Sequence, residues 1–395
     1  MQSKRVPIGQ PSGLGAQAGH GRRSVSLFNL ANESARLGQR LEERLTAVLE
    51  HGRFILGPEV EELEGALARF AGVRHVIGVS SGREALVIAL MTLGVGPGDA
   101  VFLPAFTFAA TASAITAVGA TPVFVDVDPA ICNMSPDRLQ QALENTIATT
   151  QLRSKVVMPV DLYGLPADYA AINAIAGIHG LTTIADAAQS FGAMVGELPV
   201  GALAPVTATS FYPTKPLGAF GDGGAILTDD DALAAAARQI RNHGRDGSGE
   251  ESARLGLTAR LDTLQAAVLL AKLEIFENDL AARRRIAEHY GRAFENLVQT
   301  PPCPEGVAPA WASYTLRVDE RDAVQQRLVQ AGIETGVYYR VPLHRHPAFA
   351  PWAGSKKAYP VSDQLANSVL SLPIHPGLTN EDVDYVIEEL LQVLS

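Results

Sequence analysis

The sequence predicts an α/β protein with a largely parallel, buried β-sheet and a second, smaller α+β unit. Three observations support this fold class. Short apolar segments of strand length alternate with helical patterns between residues 75 and 228. Such alternation is typical of parallel sheets whose strands are joined by helices. Long helical patterns follow from residue 260, and the proline-rich segment Pro301-Pro302-Cys303-Pro304 then separates them from a shorter run of strand and helix patterns.

The elements follow in chain order. Residues 1–24 lack a continuous apolar core and are not a secretory signal, so we expect a flexible extension there. Ser34–Phe70 has a helical pattern that is interrupted at Phe54–Pro58, where Gly57 and Pro58 end one helix and acidic residues begin the next. The strand candidates are apolar and short: His75–Val79, Ala100–Pro104, Pro122–Asp126, Lys155–Asp161, Thr182–Asp186, Ala208–Tyr212 and Ala225–Thr228.

Helices dominate the part that follows. Ala232–Asn242 and Arg260–Leu297 keep apolar residues at helical spacing. The second unit has strand candidates at Ala312–Val318 and Thr335–Tyr339 and a last helix at Asn380–Leu394. We therefore expect a large domain over residues 25–265, and connecting helices with a small C-terminal domain over residues 266–395.

Composition excludes several classes of protein. The chain has 395 residues, of which 47% are hydrophobic, and its net charge is −10 (32 basic against 42 acidic residues), which disfavours nucleic-acid binding. Cys132 and Cys303 are the only cysteines; they form no metal-ligand spacing and suit a reducing cytoplasm. Residues 100–125 carry no charge, but Pro104 and Pro122 bracket them. They are better interpreted as a buried strand, helix and strand than as a membrane span.

Lys215 is the most informative residue of the chain. It lies in the small and apolar segment Ser210–Gly218, and Gly221-Asp222-Gly223-Gly224 follows closely. A lysine in such surroundings is costly unless it is neutralised, paired or bonded covalently. An imine to the aldehyde of pyridoxal phosphate (PLP) satisfies this condition, whereas a surface loop is the ordinary alternative.

That interpretation requires a carboxylate that keeps the pyridine nitrogen protonated. Asp186 ends an apolar strand candidate, and acidic residues at the carboxyl ends of parallel strands face the crevice where such sheets bind ligands. Lys215 follows the next strand, so adjacent strands would bring the two residues together. The alternative role of Asp186 is to cap a helix.

Other segments offer partners for the phosphate and the ring. Ser81-Gly82-Arg83-Glu84 opens a strong helix, and a helix N-terminus binds phosphate, although Ser81 and Glu84 also fit a capping box. Ser210 is a second phosphate candidate that could equally be a strand hydroxyl. Phe108 ends another strand and could stack on the cofactor or simply pack in the core.

Taken together and in order, these residues resemble the DegT/DnrJ/StrS family of nucleotide-sugar aminotransferases over about residues 25–394. The resemblance rests on seven motifs: Gly57-Pro58-Glu59-Val60-Glu61-Glu62-Leu63-Glu64, Pro104-Ala105-Phe106-Thr107-Phe108, Asp161-Leu162-Tyr163-Gly164, Asp186-Ala187-Ala188-Gln189, Ser210-Phe211-Tyr212-Pro213-Thr214-Lys215, Gly221-Asp222-Gly223-Gly224 and Arg260-Leu261-Asp262-Thr263-Leu264-Gln265-Ala266-Ala267. Each motif is weak alone, and the ordered set is highly specific.

The resemblance implies a fold and a cofactor site. The fold is that of the type I PLP enzymes, with a large domain around a mostly parallel sheet and a smaller C-terminal α+β domain. Lys215 would form the internal imine, Asp186 would pair with the ring nitrogen, and Gln189 would approach the ring hydroxyl. Phe108 would stack on the ring. Gly82 and Ser210 would bind the phosphate.

The resemblance also implies partners. The enzyme would be a cytoplasmic homodimer whose active sites share residues around Thr258–Arg260. L-glutamate would be the amino donor and a nucleotide-linked keto sugar the acceptor, most often for surface polysaccharide assembly. Arg260–Gln265 and Lys272–Glu277 look most like enzymes that aminate UDP-linked 3-oxo sugars of the glucuronate type. No metal is expected. A 4-oxo sugar, or a sugar linked to dTDP or GDP, for antibiotic or O-antigen synthesis, is the alternative.

Several positions depart from the family pattern. Arg83 replaces a threonine that binds phosphate, so it could contact the phosphate directly or point away from it. Thr258 replaces an asparagine that reaches the partner's phosphate. Tyr338-Tyr339-Arg340 stands where the family has His-Tyr-Pro; Arg340 could bind a carboxylate or diphosphate, and Tyr338 and Arg260 are the other substrate candidates.

Three other functions are less well supported. Sugar dehydratases of the family replace the lysine with histidine or add iron–sulfur cysteines, whereas this chain has Lys215 and two cysteines. A non-catalytic, PLP-binding regulatory protein would explain Arg83 and Thr258. An NAD-dependent oxidoreductase would need a G-x-G-x-x-G segment after the first strand, and the chain lacks it.

Overall fold

A seven-stranded sheet organises the larger part of the molecule in the computed structural model, which describes residues 23–246, 251–354 and 359–394. The strands lie in the order β1-β9-β8-β5-β4-β2-β3. Their bounds are β1 His75–Val79, β2 Asp99–Pro104, β3 Thr121–Val125, β4 Arg153–Val157, β5 Thr182–Asp186, β8 Val206–Ser210 and β9 Gly224–Thr228. The short strands β6 Met194–Val195, β7 Leu198–Pro199 and β10 Val307–Ala308 form a separate three-stranded sheet.

The sheet is mostly parallel, as predicted. Four of its pairings are parallel, and β9 runs antiparallel to both of its neighbours, β1 and β8. Strand β9 differs because the chain returns from β8 through the Lys215 loop, without the helical crossover that a parallel pairing requires. The predicted strand Lys155–Asp161 ends early, at Val157, since Pro159 has no N–H to donate to a neighbouring strand.

Helices cover both faces of this sheet. Alternate residues of β2 point to opposite faces: Val101 and Leu103 pack with one group of helices, and Ala100 and Phe102 pack with another. The helices of the larger part are α1 Glu33–Leu37, α2 Gln39–His51, α3 Pro58–Ala71, α4 Gly82–Thr92, α5 Ala109–Ala117, α6 Pro136–Thr149, α7 Tyr169–His179, α8 Asp231–Ile240 and α9 Thr263–Leu273. The uncharged segment 100–125 thus forms β2, α5 and β3, as predicted.

A long helix joins the two parts of the molecule. Helix α10 (Phe276–Phe294) places Phe276 and Leu280 in an apolar cluster of the large part, and Tyr290 and Phe294 in the cluster of the small part. The small part contains α11 Arg321–Gln330, α12 Pro360–Ser368, α13 Asn380–Leu394 and the antiparallel strands β11 Tyr314–Arg317 and β12 Val369–Leu372.

The prediction of a strand at Thr335–Tyr339 was wrong. In the described backbone there, an isolated bridge joins Gly336 to Ser371, and β12 takes the place beside β11. The sequence did not predict strand β12, because its four buried residues are too few to give a periodic signal. Near the N-terminus, Val25 pairs with Ile333 of the small part. Residues 1–22 of the predicted extension lie outside the described residues.

No helix within residues 23–246, 251–354 and 359–394 combines the length and apolarity needed to cross a membrane.

Candidate active site

Asp186 occupies the carboxyl end of β5 and is buried. The Thr111 hydroxyl donates a hydrogen bond of 2.8 Å to its Oδ2, and the Ala188 amide donates one of 3.3 Å to its Oδ1. Burial raises the pKa of the Asp186 carboxyl, while these donors and the nearby charge of Lys215 act in the opposite direction. The acid is therefore held at a defined orientation inside the crevice.

Lys215 reaches the same crevice from the next strand. Asp186 pairs with Ala208 of β8, and the chain turns after β8 through a hydrogen bond of 2.8 Å from the Lys215 amide to the Tyr212 carbonyl. Gly218 closes this turn, since a Cβ there would lie 2.5 Å from the Pro213 carbonyl oxygen. Burial lowers the pKa of the Lys215 amine, and the charge of Asp186 opposes that shift. The structure thus brings the two predicted catalytic residues together.

The N-terminus of α4 lies directly against β8 and β9. A Cβ on Gly82 would lie 2.6 Å from the Cβ of Ser210, and one on Gly224 would lie 2.5 Å from the carbonyl carbon of Ser81. The Ser81 hydroxyl caps the helix by accepting from the Glu84 amide at 3.1 Å. The Ser210 hydroxyl accepts from the Tyr212 amide at 3.3 Å. Helix amides and two hydroxyls therefore meet at one point, which suits an anion.

Gly82→Ala tests this arrangement. We expect the added methyl group to push α4 away from Ser210 and to weaken binding of PLP to the cofactor-free protein by about tenfold or more. A titration followed by absorbance measures the dissociation constant. Gly177→Ala in α7 is the matched control, because its new Cβ would meet no atom within 4 Å outside its own helical turn. Equal affinities of the two variants would show that the close packing is irrelevant to phosphate binding.

Arg83 has other partners in the structure. Its Nε donates to the Ser113 hydroxyl of α5 at 3.1 Å, and its Nη1 donates to Glu84 at 2.5 Å. A direct contact with a phosphate would require the guanidinium to leave both groups. The role of Arg83 in cofactor binding therefore stays a prediction.

Gln189 and Phe108 lie on two sides of the crevice. The Gln189 Oε1 accepts from the Tyr163 amide at 2.9 Å, and its Nε2 lies 3.5 Å from the Tyr339 hydroxyl. Phe108 exposes 58% of its surface, and its ring centroid is 5.9 Å from that of Tyr339. An aromatic side chain this exposed at the mouth of a crevice is available to stack on a flat ligand.

Three residues of the site had no role predicted from the sequence: Thr111, Tyr163 and Tyr339. Thr111 lies one turn into the helix that follows Phe108, and only the packing of α5 on the sheet directs it to Asp186. Tyr339 follows Tyr338, which was predicted to contact substrate. Its ring lies close to Phe108 because the small part packs against the large part. Tyr163 belongs to the family motif Asp161–Gly164, and that motif was the only sequence signal that could have pointed to it.

A cleft of about 630 Å³ opens beside Ser81. Thr258 and Arg260 line it. The Arg260 Nη1 donates to the Asn242 side chain at 3.1 Å and lies 3.3 Å from the Nε2 of His243. The predicted phosphate and interface residues therefore share one cleft.

Arg340 lies on α11. Its Nη1 donates to Asp322 at 2.5 Å, and its Nη2 donates to Gln325. The hydrogen bond from Arg340, together with one from Arg321, lowers the pKa of the Asp322 carboxyl. Tyr338, two residues earlier, accepts a hydrogen bond at its carbonyl oxygen from the Tyr163 hydroxyl. Substrate contacts by Tyr338 and Arg340 remain predictions.

Asp161 is a second buried acid near Asp186. It accepts from the Ala167 amide and the Tyr169 hydroxyl at 2.8 Å, and from the Ser190 hydroxyl at 2.6 Å. Burial raises the pKa of the Asp161 carboxyl to about 7 in spite of these donors.

Asp161→Asn should therefore change how stability depends on pH. Between pH 5 and 7 the folded protein keeps a proton on Asp161 that the unfolded chain has lost, so this group's stabilisation is lost as the pH rises toward 7. Relative to the asparagine variant, the wild type should lose about 2 kcal/mol of unfolding free energy over that interval. Urea unfolding at pH 5, 6 and 7 measures it. Parallel pH curves for the two proteins would refute the raised pKa.

Comparison with known proteins agrees with this geometry. Residues 36–391 match the DegT/DnrJ/EryC1/StrS aminotransferase family. The chain is 44% identical to the UDP-2-acetamido-2-deoxy-3-oxo-D-glucuronate aminotransferase of Pseudomonas aeruginosa, over 93% of this chain and 99% of that protein. It is 40% identical to a protein of Geobacillus stearothermophilus named pleiotropic regulatory protein, over 93% and 98% of the two chains.

A solved structure is equally similar. The crystal structure of a DegT DnrJ EryC1 StrS aminotransferase from Brucella abortus superposes with a TM-score of 0.91 and 45% identity, over 93% of this chain and 98% of that one. The chain therefore belongs to the DegT/DnrJ/EryC1/StrS aminotransferase family and is a PLP-dependent sugar aminotransferase.

Proposed function

We propose that this protein transfers the amino group of L-glutamate to a UDP-linked 3-oxo sugar, with PLP attached to Lys215. The observation that carries the proposal is the half-buried Lys215 beside the buried Asp186 at the carboxyl ends of two paired strands. The similarity to a UDP-2-acetamido-2-deoxy-3-oxo-D-glucuronate aminotransferase supports the choice of sugar. Lipopolysaccharide or another surface polysaccharide is the pathway that we propose.

The residues present fit each part of PLP. Asp186 offers a carboxylate to the ring nitrogen, and Thr111 fixes its orientation. The Tyr163 amide sets the orientation of the Gln189 side chain, whose Nε2 carries two N–H groups: one faces the Tyr339 hydroxyl, and the other would donate toward the ring hydroxyl. The amides at Gly82 and the hydroxyl of Ser210 suit the phosphate, and the close approach of these two residues leaves no room for a side chain between them.

Bound PLP would supply an aldehyde that condenses with amines and a ring that accepts electrons. Asp186 would hold a proton on the ring nitrogen and so keep the ring able to accept electrons. Lys215 has a lowered pKa, so a larger fraction of its amine is neutral near pH 7 and able to take a proton from the donor carbon and return one to the acceptor carbon. Phe108 and Tyr339 place two aromatic rings, with centroids 5.9 Å apart, beside the crevice.

We further propose a cytoplasmic homodimer. Thr258 and Arg260 line the same cleft as Ser81, and this cleft would be closed by the partner subunit. Apolar side chains are exposed nearby: Ile55 exposes 47% and Phe220 exposes 41% of its surface. A second copy of this chain would bury them and complete the phosphate site.

The test is spectroscopic. The protein is purified with added PLP, its visible spectrum is recorded before and after addition of L-glutamate, and the converted protein is then mixed with UDP-linked 3-oxo and dTDP-linked 4-oxo sugars. Conversion by glutamate and reversal by the UDP-3-oxo sugar are expected, with ping-pong kinetics in the steady state. Reversal by the 4-oxo sugar alone would replace the proposed substrate with the alternative one.

The similarity to a protein named as a regulator gives the second candidate function. If the protein binds PLP but its spectrum does not change on addition of glutamate, the result would favour a non-catalytic, PLP-binding regulator. A protein that binds no PLP would contradict both functions.

A further inference from the structure

Tyr163 adopts an unusual backbone conformation next to the candidate active site. It lies in the motif Asp161–Gly164, directly after the short loop that follows β4. Its φ is +62° and its ψ is 4°, in the left-handed region. A bulky side chain is an outlier there, and such a conformation persists only when the surroundings fix it. The contacts of Tyr163 show what fixes it.

Its main chain is tied to the residue proposed to contact the cofactor ring. The Tyr163 amide donates to the Gln189 Oε1 at 2.9 Å. The same motif holds the turn at Gln189 in two further ways: Asp161 accepts from the Ser190 hydroxyl, and a Cβ on Gly164 would lie 3.1 Å from the Gln189 carbonyl oxygen. The orientation of the Gln189 carboxamide is therefore set by the backbone of Tyr163.

Its side chain and carbonyl are tied to the other part of the molecule. The Tyr163 hydroxyl donates to the carbonyl oxygen of Tyr338, and the Tyr163 carbonyl accepts from the Ser313 amide at 3.3 Å. Tyr339, the next residue, packs its ring 5.9 Å from Phe108 and places its hydroxyl 3.5 Å from the Gln189 Nε2. Tyr163 thus links Gln189 on one side of the crevice to the segment Tyr338–Tyr339 on the other.

We propose that Tyr163 is a positioning residue that holds the substrate-side segment Tyr338–Tyr339 against Gln189, so that the sugar binds in register with the cofactor. This inference rests on the proposed function and deepens it. Tyr163 touches neither Lys215 nor Asp186 in the hydrogen bonds of the described residues, so it acts through Gln189 and Tyr338. The larger substrate should depend on it more than glutamate does.

Tyr163→Phe removes the hydroxyl and keeps the ring and the amide. Tyr290→Phe is the matched control, because the Tyr290 hydroxyl is also buried and donates to a main-chain carbonyl, that of Pro373, at 3.0 Å. Two readouts are compared. Hydrogen exchange of peptides covering residues 336–343, in the protein without PLP, reports how firmly the segment is held. Steady-state and half-reaction kinetics report how it affects each substrate.

In Tyr163→Phe we expect exchange over residues 336–343 to accelerate about tenfold and the KM of the keto sugar to rise about tenfold. The glutamate half-reaction should stay within about twofold of wild type. Tyr290→Phe should change neither readout. Unchanged exchange in Tyr163→Phe, or an equal rise in KM in Tyr290→Phe, would overturn the inference while the wild-type reaction stands. A wild-type protein that glutamate does not convert would overturn the proposed function and the positioning role together.

Discussion

Lys215→Ala should abolish the reaction with glutamate. Lys215 is the amine that we expect to bond to PLP and to carry protons, and few alternatives exist because the chain has only six lysines. We expect the half-reaction rate to fall by a factor of about 1,000 or more, since nucleophile and proton carrier are lost together. Stopped-flow absorbance after L-glutamate is added to the loaded protein measures the rate. The visible band that reports the covalent bond should also disappear.

Lys155→Ala is the control for this prediction. Lys155 lies in β4 and contacts the Gly94 carbonyl and Asp99, away from the crevice. Its replacement should leave the band and the rate unchanged. A Lys215→Ala protein that glutamate converts at the wild-type rate would show that another group carries the protons, and the central assignment would be wrong.

Asp186→Asn should lower the glutamate half-reaction by a factor of about 100 to 1,000 with little change in structure. Asparagine has the same shape and can still accept from the Thr111 hydroxyl, but it cannot hold a proton on the ring nitrogen by charge. The loss should lie in the rate at saturating glutamate rather than in the glutamate KM. Stopped-flow absorbance over a range of glutamate concentrations separates the two.

Asp99→Asn is a suitable comparison for that variant. Asp99 is also fully buried and paired, with Arg153 at 2.7 Å, but it begins β2 and so lies at the opposite edge of the sheet. The Asp99→Asn substitution should leave the half-reaction rate unchanged even if it lowers the stability of the protein. A full rate in Asp186→Asn would mean that the ring nitrogen needs no acidic partner in this protein.

Local sequence signals predicted most of the fold. The strands His75–Val79 and Thr182–Asp186 and the helix Asn380–Leu394 match their predicted bounds, because apolar runs of the right length are flanked by turn or capping residues. The antiparallel direction of β9 and the strand β12 were not predictable in this way. Both depend on which distant segment lies alongside, and a short apolar run carries no information about its neighbour.

Some residues of the candidate site were likewise predictable from local sequence, and others were not. Lys215 and Asp186 could be named from the sequence because a lysine in an apolar glycine-rich segment and an acid that ends a buried strand are each chemically unusual. The sequence by itself thus determined the chemistry, the family and the cofactor that we expect.

Only the tertiary structure decided how the supporting residues are used. Arg83 binds Ser113 and Glu84, and Arg340 binds Asp322 and Gln325, although the sequence allowed both guanidiniums to face a ligand. Tyr163 contacts both Gln189 and Tyr338, and Tyr338 lies 175 positions further along the chain. A side chain's partner depends on packing between distant elements, so its type and local spacing reveal what it can do but not which group it meets.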